Sequence, residues 1–312
     1  MSHPRKFRFG LQTMKMPETG SWTDLARRAE SQGFSTLFMP DHFDDQLAPL
    51  PALAAAAAVT TELRVGTLVL DNDYKHPVVH AKELATIDRL SGGRLEIGLG
   101  AGWMRTDYEQ SGIAYDAHGM RIDRFLEGLA VIRGLFADGP FTHEGRHYRI
   151  TAMEGLPKPV QRPTPPILIG AGGPRMLAIA AREADIVGVN PSMRAGAIDA
   201  SAAADATAAA YDRKLATLRE AAGARFADLE LNCLLTVVTP TDDQMAFAAR
   251  LARGFGVTAE EAVQIPLALF GTVDQMCAQL EERRERWGIS YLVCQAAHQD
   301  ALAPVIERLA GT

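Results

Sequence analysis

Short apolar or β-branched runs alternate with segments of helical period along most of the chain. Residues 8–13 (RFGLQT) read as a first strand. Ser21 opens a helix, with Asp24 three residues on as its capping partner, and Gly33 stops it. Strands follow at 36–40 and 63–70. The latter (LRVGTLVL) is almost continuously apolar, as befits a strand buried on both faces. Between them, 51–61 is an Ala-rich helix. Ala81, Leu84, Ile87 and Leu90 share one face of a helix over 79–90, ended by Gly92 and Gly93, and 95–99 is a fourth strand. Ile122, Phe125, Leu126, Leu129, Ile132, Leu135 and Phe136 form the clearest apolar stripe. Residues 141–150, turning at Glu144 and Gly145, read as an inserted β-hairpin. A proline-rich connector over 157–166 leads to a fifth strand at 167–170, a helix at 175–184 and a sixth strand at 186–189. Residues 195–227, dominated by alanine, read as one long helix or two, exposed and open to motion. A seventh strand covers 229–238. Thr241 with Gln244, Thr258 with Glu261 and Thr272 with Gln275 mark three helix starts. The eighth strand is 289–294 and the last helix 301–309.

Eight strands, each followed by helix, in 312 residues is the arithmetic of a closed (β/α)8 barrel, an α/β fold. A doubly wound sheet would place a glycine turn for phosphate directly after the first strand, and 11–17 (LQTMKMP) has none. With no internal repeat and no linker, residues 1–312 are expected to form one domain. At 47% hydrophobic and 22% charged, the chain can bury a full core. A net charge of -6 without a basic run argues against nucleic acid as a partner. The start, MSHPRKFRFG, lacks the apolar core of a secretory signal, and the apolar stretch 51–59 is too short to span a bilayer. Cys233, Cys277 and Cys294 are scattered among apolar residues and read as buried reduced thiols. The expectation is a cytoplasmic protein with no membrane contact.

In such a barrel the active site forms from loops after the strands. The segments that matter are Gln12 to Lys15 (with Met14), Asp41 to Phe43, Thr67 to Tyr74, Gly98 to Trp103, Gly170 to Arg175 and Asn190 to Ser192. Asp41 and His42 can orient a cofactor and move a proton, or be a helix cap beside a surface histidine. Gly170-Ala171-Gly172-Gly173-Pro174-Arg175 joins a strand to a helix. Its bare N–H groups suit a phosphate, although glycine turns often only connect. Pro174 fits a first helical turn, and Arg175 either adds charge or faces solvent. Gly98 to Gly102 is either a tightly packed strand exit or room for a flat ring walled by Trp103. His76 with His80 and His143 with His147 are spaced by four, but ligand sets are incomplete and no metal is expected. Neither a G-x-S-x-G elbow nor a G-x-x-x-x-G-K-S/T loop occurs.

Several stretches together resemble the luciferase-like monooxygenase superfamily, the bacterial luciferase-like enzymes that use flavin. The nearer resemblance is to its actinobacterial oxidoreductases that use the deazaflavin coenzyme F420. The stretches are GLQT, FMPDHF, GTLVLDNDYKHP, ATIDRLSGGRLEIGLGAGW, GRHYRI and PKPVQRPTPPILIGAGGPRMLAIAAREADIVGVN, covering about 7–190. The resemblance implies a TIM barrel with insertions near its C-terminal rim and the cofactor ring at the barrel mouth. It implies a non-proline cis peptide at Leu68-Val69 against that ring, and cofactor contacts from Asp41, Asp71 and Asn190. It also implies a phosphate at the loop Gly170, Ala171, Gly172, Gly173, Pro174 and Arg175, and a proton-handling role for His42. The sugar-phosphate dehydrogenases of the superfamily carry a catalytic Glu at the place of Trp103. Its replacement puts sugar oxidation in doubt and suggests an apolar substrate in a pocket lined by Trp103 and Met14. Glu109 lies nearby in the sequence.

The first expectation is therefore an F420-dependent oxidoreductase that moves a hydride to or from a small apolar molecule. FMN is the alternative cofactor and would permit monooxygenation with a separate flavin reductase as partner. Two other readings are a non-catalytic flavin-binding barrel and a metal-dependent hydrolase. The rim segments 44–49 and 254–270 would decide the substrate. Family members are often dimers, and no patch in the sequence decides for a homodimer.

Overall fold

The computed structural model describes residues 5–312, which divide into two compact units. One is built from 5–13, 28–36 and 169–312, the other from 14–27 and 37–168. In the first unit, Arg8–Gln12 and Glu230–Leu235 pair in parallel with opposite edges of Ile289–Gln295, and Glu230–Leu235 pairs onward with Ile186–Val189. In the second, Arg64–Thr67 and Leu70–Asp71 both pair in parallel with Leu95–Gly100. Thr36–Met39 and Ile167–Ala171 begin in one unit and end in the other. The hydrogen-bonded order of these strands closes on itself, because Arg64–Thr67 at its head also pairs with Leu95–Gly100 near its tail. The fold is the expected (β/α)8 barrel.

Physical causes are visible element by element. Leu95–Gly100 and Thr36–Met39 are buried at every residue, so their unbroken apolar runs report strands covered on both faces. Thr258 and Thr272 each complete a capping box with Glu261 and Gln275, and Ser21 exchanges hydrogen bonds with Asp24. The motif pair IDRLSGGR and PKPVQ forms one clamp. Asp88 is fully buried and accepts the N–H groups of Val160 at 2.7 Å and Gln161 at 3.0 Å, plus the Gln161 amide at 2.7 Å. This ties the end of the helix Pro77–Leu90 to the connector feeding the fifth barrel strand. All three cysteines are buried free thiols. Burial pushes Cys233 up to about 11 and Cys294 to about 12, so both stay protonated.

Five expectations need correction. The run 63–70 is two strands, Arg64–Thr67 and Leu70–Asp71, separated at the cis peptide Leu68–Val69. The run 229–238 also divides. After Glu230–Leu235 the chain turns where the N–H groups of Thr236 and Val237 both reach the carbonyl of Leu267. Val237–Pro240 then joins Ala268–Gly271, part of a segment expected as variable rim, in a separate parallel pair. Thr241 is not the cap of Gln244–Phe255; Asp243 is, accepting from Ala246 N–H at 2.9 Å. The Ala-rich region holds Ala200–Ala204 and Ala208–Ala222, and the longer helix is anchored rather than open to motion. It buries Tyr211, Leu215 and Leu218, and Tyr211 donates to the Val189 carbonyl at 2.8 Å. Finally, Arg105–Ser111 is a helix that the apolar pattern did not indicate. It follows a strand directly, as do Ala200–Ala204 and Val237–Pro240, whereas the antiparallel hairpin Pro140–Glu144 and Arg149–Glu154 follows the helix His118–Phe136.

Candidate active site

In the second unit Asp41 and Asp71 share a cluster of carboxylates, and His42 stands between Asp107 and the Trp103 ring. The scaffold is the broken third barrel strand. Thr67, fully buried, donates to the Gly98 carbonyl at 2.8 Å and accepts from Gly98 N–H at 3.0 Å, stitching the third strand to the fourth at the break. That closeness explains the glycine run. A Cβ on Gly98 would lie 1.8 Å from the Thr67 carbonyl oxygen, and one on Gly100 would lie 2.8 Å from Val69 Cγ2. At Gly102, whose φ is +74°, it would meet the Tyr108 hydroxyl at 1.8 Å. The run is therefore a close-packed strand exit, and its glycines are filled against by protein rather than leaving room for a ring.

Carboxylates converge beyond this break. Asp41 accepts the Asp71 N–H at 3.3 Å, and Asp71 accepts the Asp73 N–H at 2.9 Å. The Tyr108 hydroxyl reaches Asp71 Oδ2 at 2.8 Å and Asp73 Oδ2 at 3.2 Å. Arg124 grips Asp73 through two contacts of 2.7 Å and reaches Asp116 at 2.7 Å, which neutralises the outer part of the cluster. Burial, reinforced by the Asp73 charge, pushes Asp71 up to about 7. Burial likewise pushes Asp41 up to about 6. Both carboxyls can therefore carry a proton near neutral pH.

His42 leaves the second barrel strand beside this cluster. Its Nδ1 lies 2.7 Å from Oδ2 of Asp107, a residue on the unexpected helix Arg105–Ser111. Tyr74 donates its hydroxyl to the same oxygen at 2.9 Å, and Phe43 N–H reaches Oδ1 at 3.4 Å. Trp103 stands edge-on to the imidazole with ring centroids 5.5 Å apart. Its carbonyl accepts from Tyr115, which Arg121 covers and bonds at 3.2 Å. Glu109, nearby in the sequence, is exposed, and Asp107 is the inward acid. The available signal was local: Gly112, in the left-handed conformation, ends a short helix whose Asp107 and Tyr108 are both buried. Met14, exposed, is held through its carbonyl by Leu47 N–H.

The first unit holds the glycine loop. Gly172 has no room for a side chain, because a Cβ would lie 2.4 Å from the Pro191 carbonyl oxygen and 2.9 Å from that of Asn190. Asn190 N–H bonds the Ala171 carbonyl at 2.9 Å, so the two loops run side by side. Lys214, nearly buried, bonds the Gly172 carbonyl at 3.2 Å and pairs with Asp205, which also accepts Ser192 N–H at 2.7 Å. Gly173 is the N-cap of Pro174–Glu183 with no side-chain cap, and the nearest atom to a Cβ there is Ser192 Oγ at 4.0 Å. Arg175 is exposed. Thus this helix starts without a side-chain cap beside open space, an N-terminus that fits an anion.

The histidines of the first pair have separate surroundings. His76 caps its helix by accepting from Val78 N–H, and His80 is fully buried and pushed down to about 4, hence neutral. Among the described residues no group of three or more His, Cys, Asp or Glu side chains could hold a metal ion. No helix among them is long and apolar enough to cross a membrane.

A family model described as luciferase-like monooxygenase matches residues 6–290. An F420-dependent glucose-6-phosphate dehydrogenase from Nakamurella multipartita is 30% identical over 302 residues, 92% of this chain and 84% of that one. An FMNH(2)-dependent dimethylsulfone monooxygenase from Pseudomonas putida is 30% identical over 203 residues, 59% of this chain and only 56% of the relative's length. The solved coenzyme F420 dependent tetrahydromethanopterin reductase from Methanopyrus kandleri superposes with a TM-score of 0.77 at 20% identity, covering 98% of this chain and 99% of that one. That likeness concerns the fold. With the sequence match spanning nearly its whole length, the chain belongs to the luciferase-like monooxygenase family.

Proposed function

We propose that this protein is an oxidoreductase that uses coenzyme F420 to move a hydride to or from a small apolar molecule. The observation that carries the choice of cofactor is the match to an F420-dependent dehydrogenase along 92% of the chain. When bound, the deazaflavin would supply the hydride chemistry, and the protein supplies position and charge. In this reading Asp41, Asp71, Leu68 and Val69 contact the ring. Leu68 and Val69 are half-buried, and the two carboxyls can donate or accept a hydrogen bond near neutral pH. The loop from Gly170 through Arg175, with Asn190 beside it, takes the phosphate at the N-terminus of Pro174–Glu183, where the helix end favours an anion.

His42 handles the proton that accompanies the hydride. With Nδ1 occupied by Asp107, Nε2 is the nitrogen left for substrate. Trp103 beside that imidazole replaces an acid with an apolar edge, which favours an apolar substrate over a sugar phosphate. His42→Ala should lower kcat by about 10²–10⁴-fold while the cofactor Kd changes less than threefold. Full activity with lost cofactor binding would make His42 a binding residue and overturn the role.

The second reading is an FMN-dependent monooxygenase served by a separate reductase, favoured by the match to the dimethylsulfone enzyme. It shares the ring and phosphate contacts and differs in the reaction with oxygen.

A further inference from the structure

Asp107 has a position that its sequence context does not explain. It sits on a seven-residue polar helix, yet it is only 3% exposed. A buried carboxylate needs donors. Three come from two other segments: His42 Nδ1 and Tyr74 OH at Oδ2, and Phe43 N–H at Oδ1. All three lie in the loops that follow the second and third barrel strands.

The geometry determines which way each proton points. Burial, with Asp71 and Asp107 nearby, pushes the Tyr74 phenol up, so it keeps its proton and donates. Oδ2 thus receives one hydrogen bond from Tyr74, and the imidazole nitrogen 2.7 Å away must also be a donor. A neutral His42 then carries its proton on Nδ1 and its lone pair on Nε2. Tyr74 is itself held by the Phe43 ring at 4.5 Å and the Tyr108 ring at 5.6 Å, so the acceptor oxygen is fixed from both sides. We infer that Asp107, oriented by Tyr74, is a positioning residue that locks His42 in the Nδ1–H tautomer and leaves Nε2 as the proton acceptor facing the substrate. This rests on the proton-handling role given to His42 above.

A merely structural Asp107 would anchor Phe43 N–H and leave the tautomer of His42 to chance. The two roles separate in a measurement made without substrate. The cofactor-free protein is labelled with ¹⁵N-histidine, and the His42 ring nitrogens are assigned by their loss in His42→Gln. The wild type should show a pyrrole-like Nδ1 and a pyridine-like Nε2 at a pH where the ring is neutral. Asp107→Ala should show a mixture or the reverse, with kcat about a hundredfold lower and KM within threefold; losing the orienting carboxylate of a catalytic histidine can cost about 10⁴-fold. Tyr74→Phe keeps the carboxylate that accepts from Nδ1, so it should keep the tautomer and lose less than tenfold in kcat. Should Asp107→Ala fail to fold, Asp107→Asn keeps the volume without the charge, and a loss of at least tenfold in kcat with a changed ring spectrum is expected. A wild-type proton on Nε2, or an Asp107 variant with an unchanged tautomer and kcat within threefold, overturns the inference. If His42→Ala stays fully active while the wild-type tautomer is locked on Nδ1, the functional role of His42 fails and the placement by Asp107 stands.

Discussion

Replacing Gly173 by aspartate tests the anion site with little risk to the fold. Gly173 has φ −89° and ψ 159°, extended backbone that any residue adopts, and open space stands where its Cβ would go. Aspartate is a favoured N-cap, and this helix lacks a side-chain cap, so thermal stability should stay level or rise by a few tenths of a kcal/mol. Binding should respond differently. The new carboxylate takes the first-turn N–H groups that a phosphate would use and adds like charge. At an effective dielectric near 20, two unit charges ~4–5 Å apart repel by about 3–4 kcal/mol, more than a hundredfold in affinity. The contrast is Gly172→Ala, where a Cβ 2.4 Å from a carbonyl oxygen would disturb the loop itself. Calorimetry with F420 and with FMN, beside a thermal melt, reads both effects. Near wild-type affinity for either cofactor in a normally folded Gly173→Asp would mean that the phosphate lies elsewhere and the loop only connects strand to helix.

Two further outcomes follow from the carboxylate cluster. Asp71 and Asp41 have folded pKa values of about 7 and about 6, above the unfolded value of about 4. Each therefore contributes stability that is fully present below about pH 4 and lost as pH rises through about 6–7. Asp71→Asn should flatten that decline, by on the order of 3–4 kcal/mol at most between pH 4 and 8 in urea unfolding; an unchanged slope would mean that Asp71 is not a perturbed acid. Gly102→Ala should destabilise by about 2–4 kcal/mol, because it forces a side chain into left-handed backbone and onto Tyr108. Wild-type stability of that variant would show the strand exit to be looser than described.

How much of this was legible depended on the range of the interactions involved. Capping boxes at Thr258 and Thr272 were readable because both partners lie within one turn. The barrel strands were readable because burial on both faces leaves an unbroken apolar run, as in Leu95–Gly100. Thr241 misled because Asp243, two residues on, competes for the same helix start. The helix Arg105–Ser111 stayed hidden because its buried groups are polar, and polarity has no period when its partners come from distant loops. His42 could be singled out from its strand end, yet Asp107 lies 65 positions away and only the fold joins them. The cis peptide at Leu68–Val69 was implied by family resemblance alone; nothing in the run LRVGTLVL marks a break.

Titration of the purified protein with F420 and with FMN, followed by fluorescence, decides the choice of cofactor. F420 should bind stoichiometrically with micromolar or tighter affinity and FMN at least tenfold more weakly, about 1.4 kcal/mol or more apart. Tighter binding of FMN, or binding of neither, would rule out F420 as the cofactor.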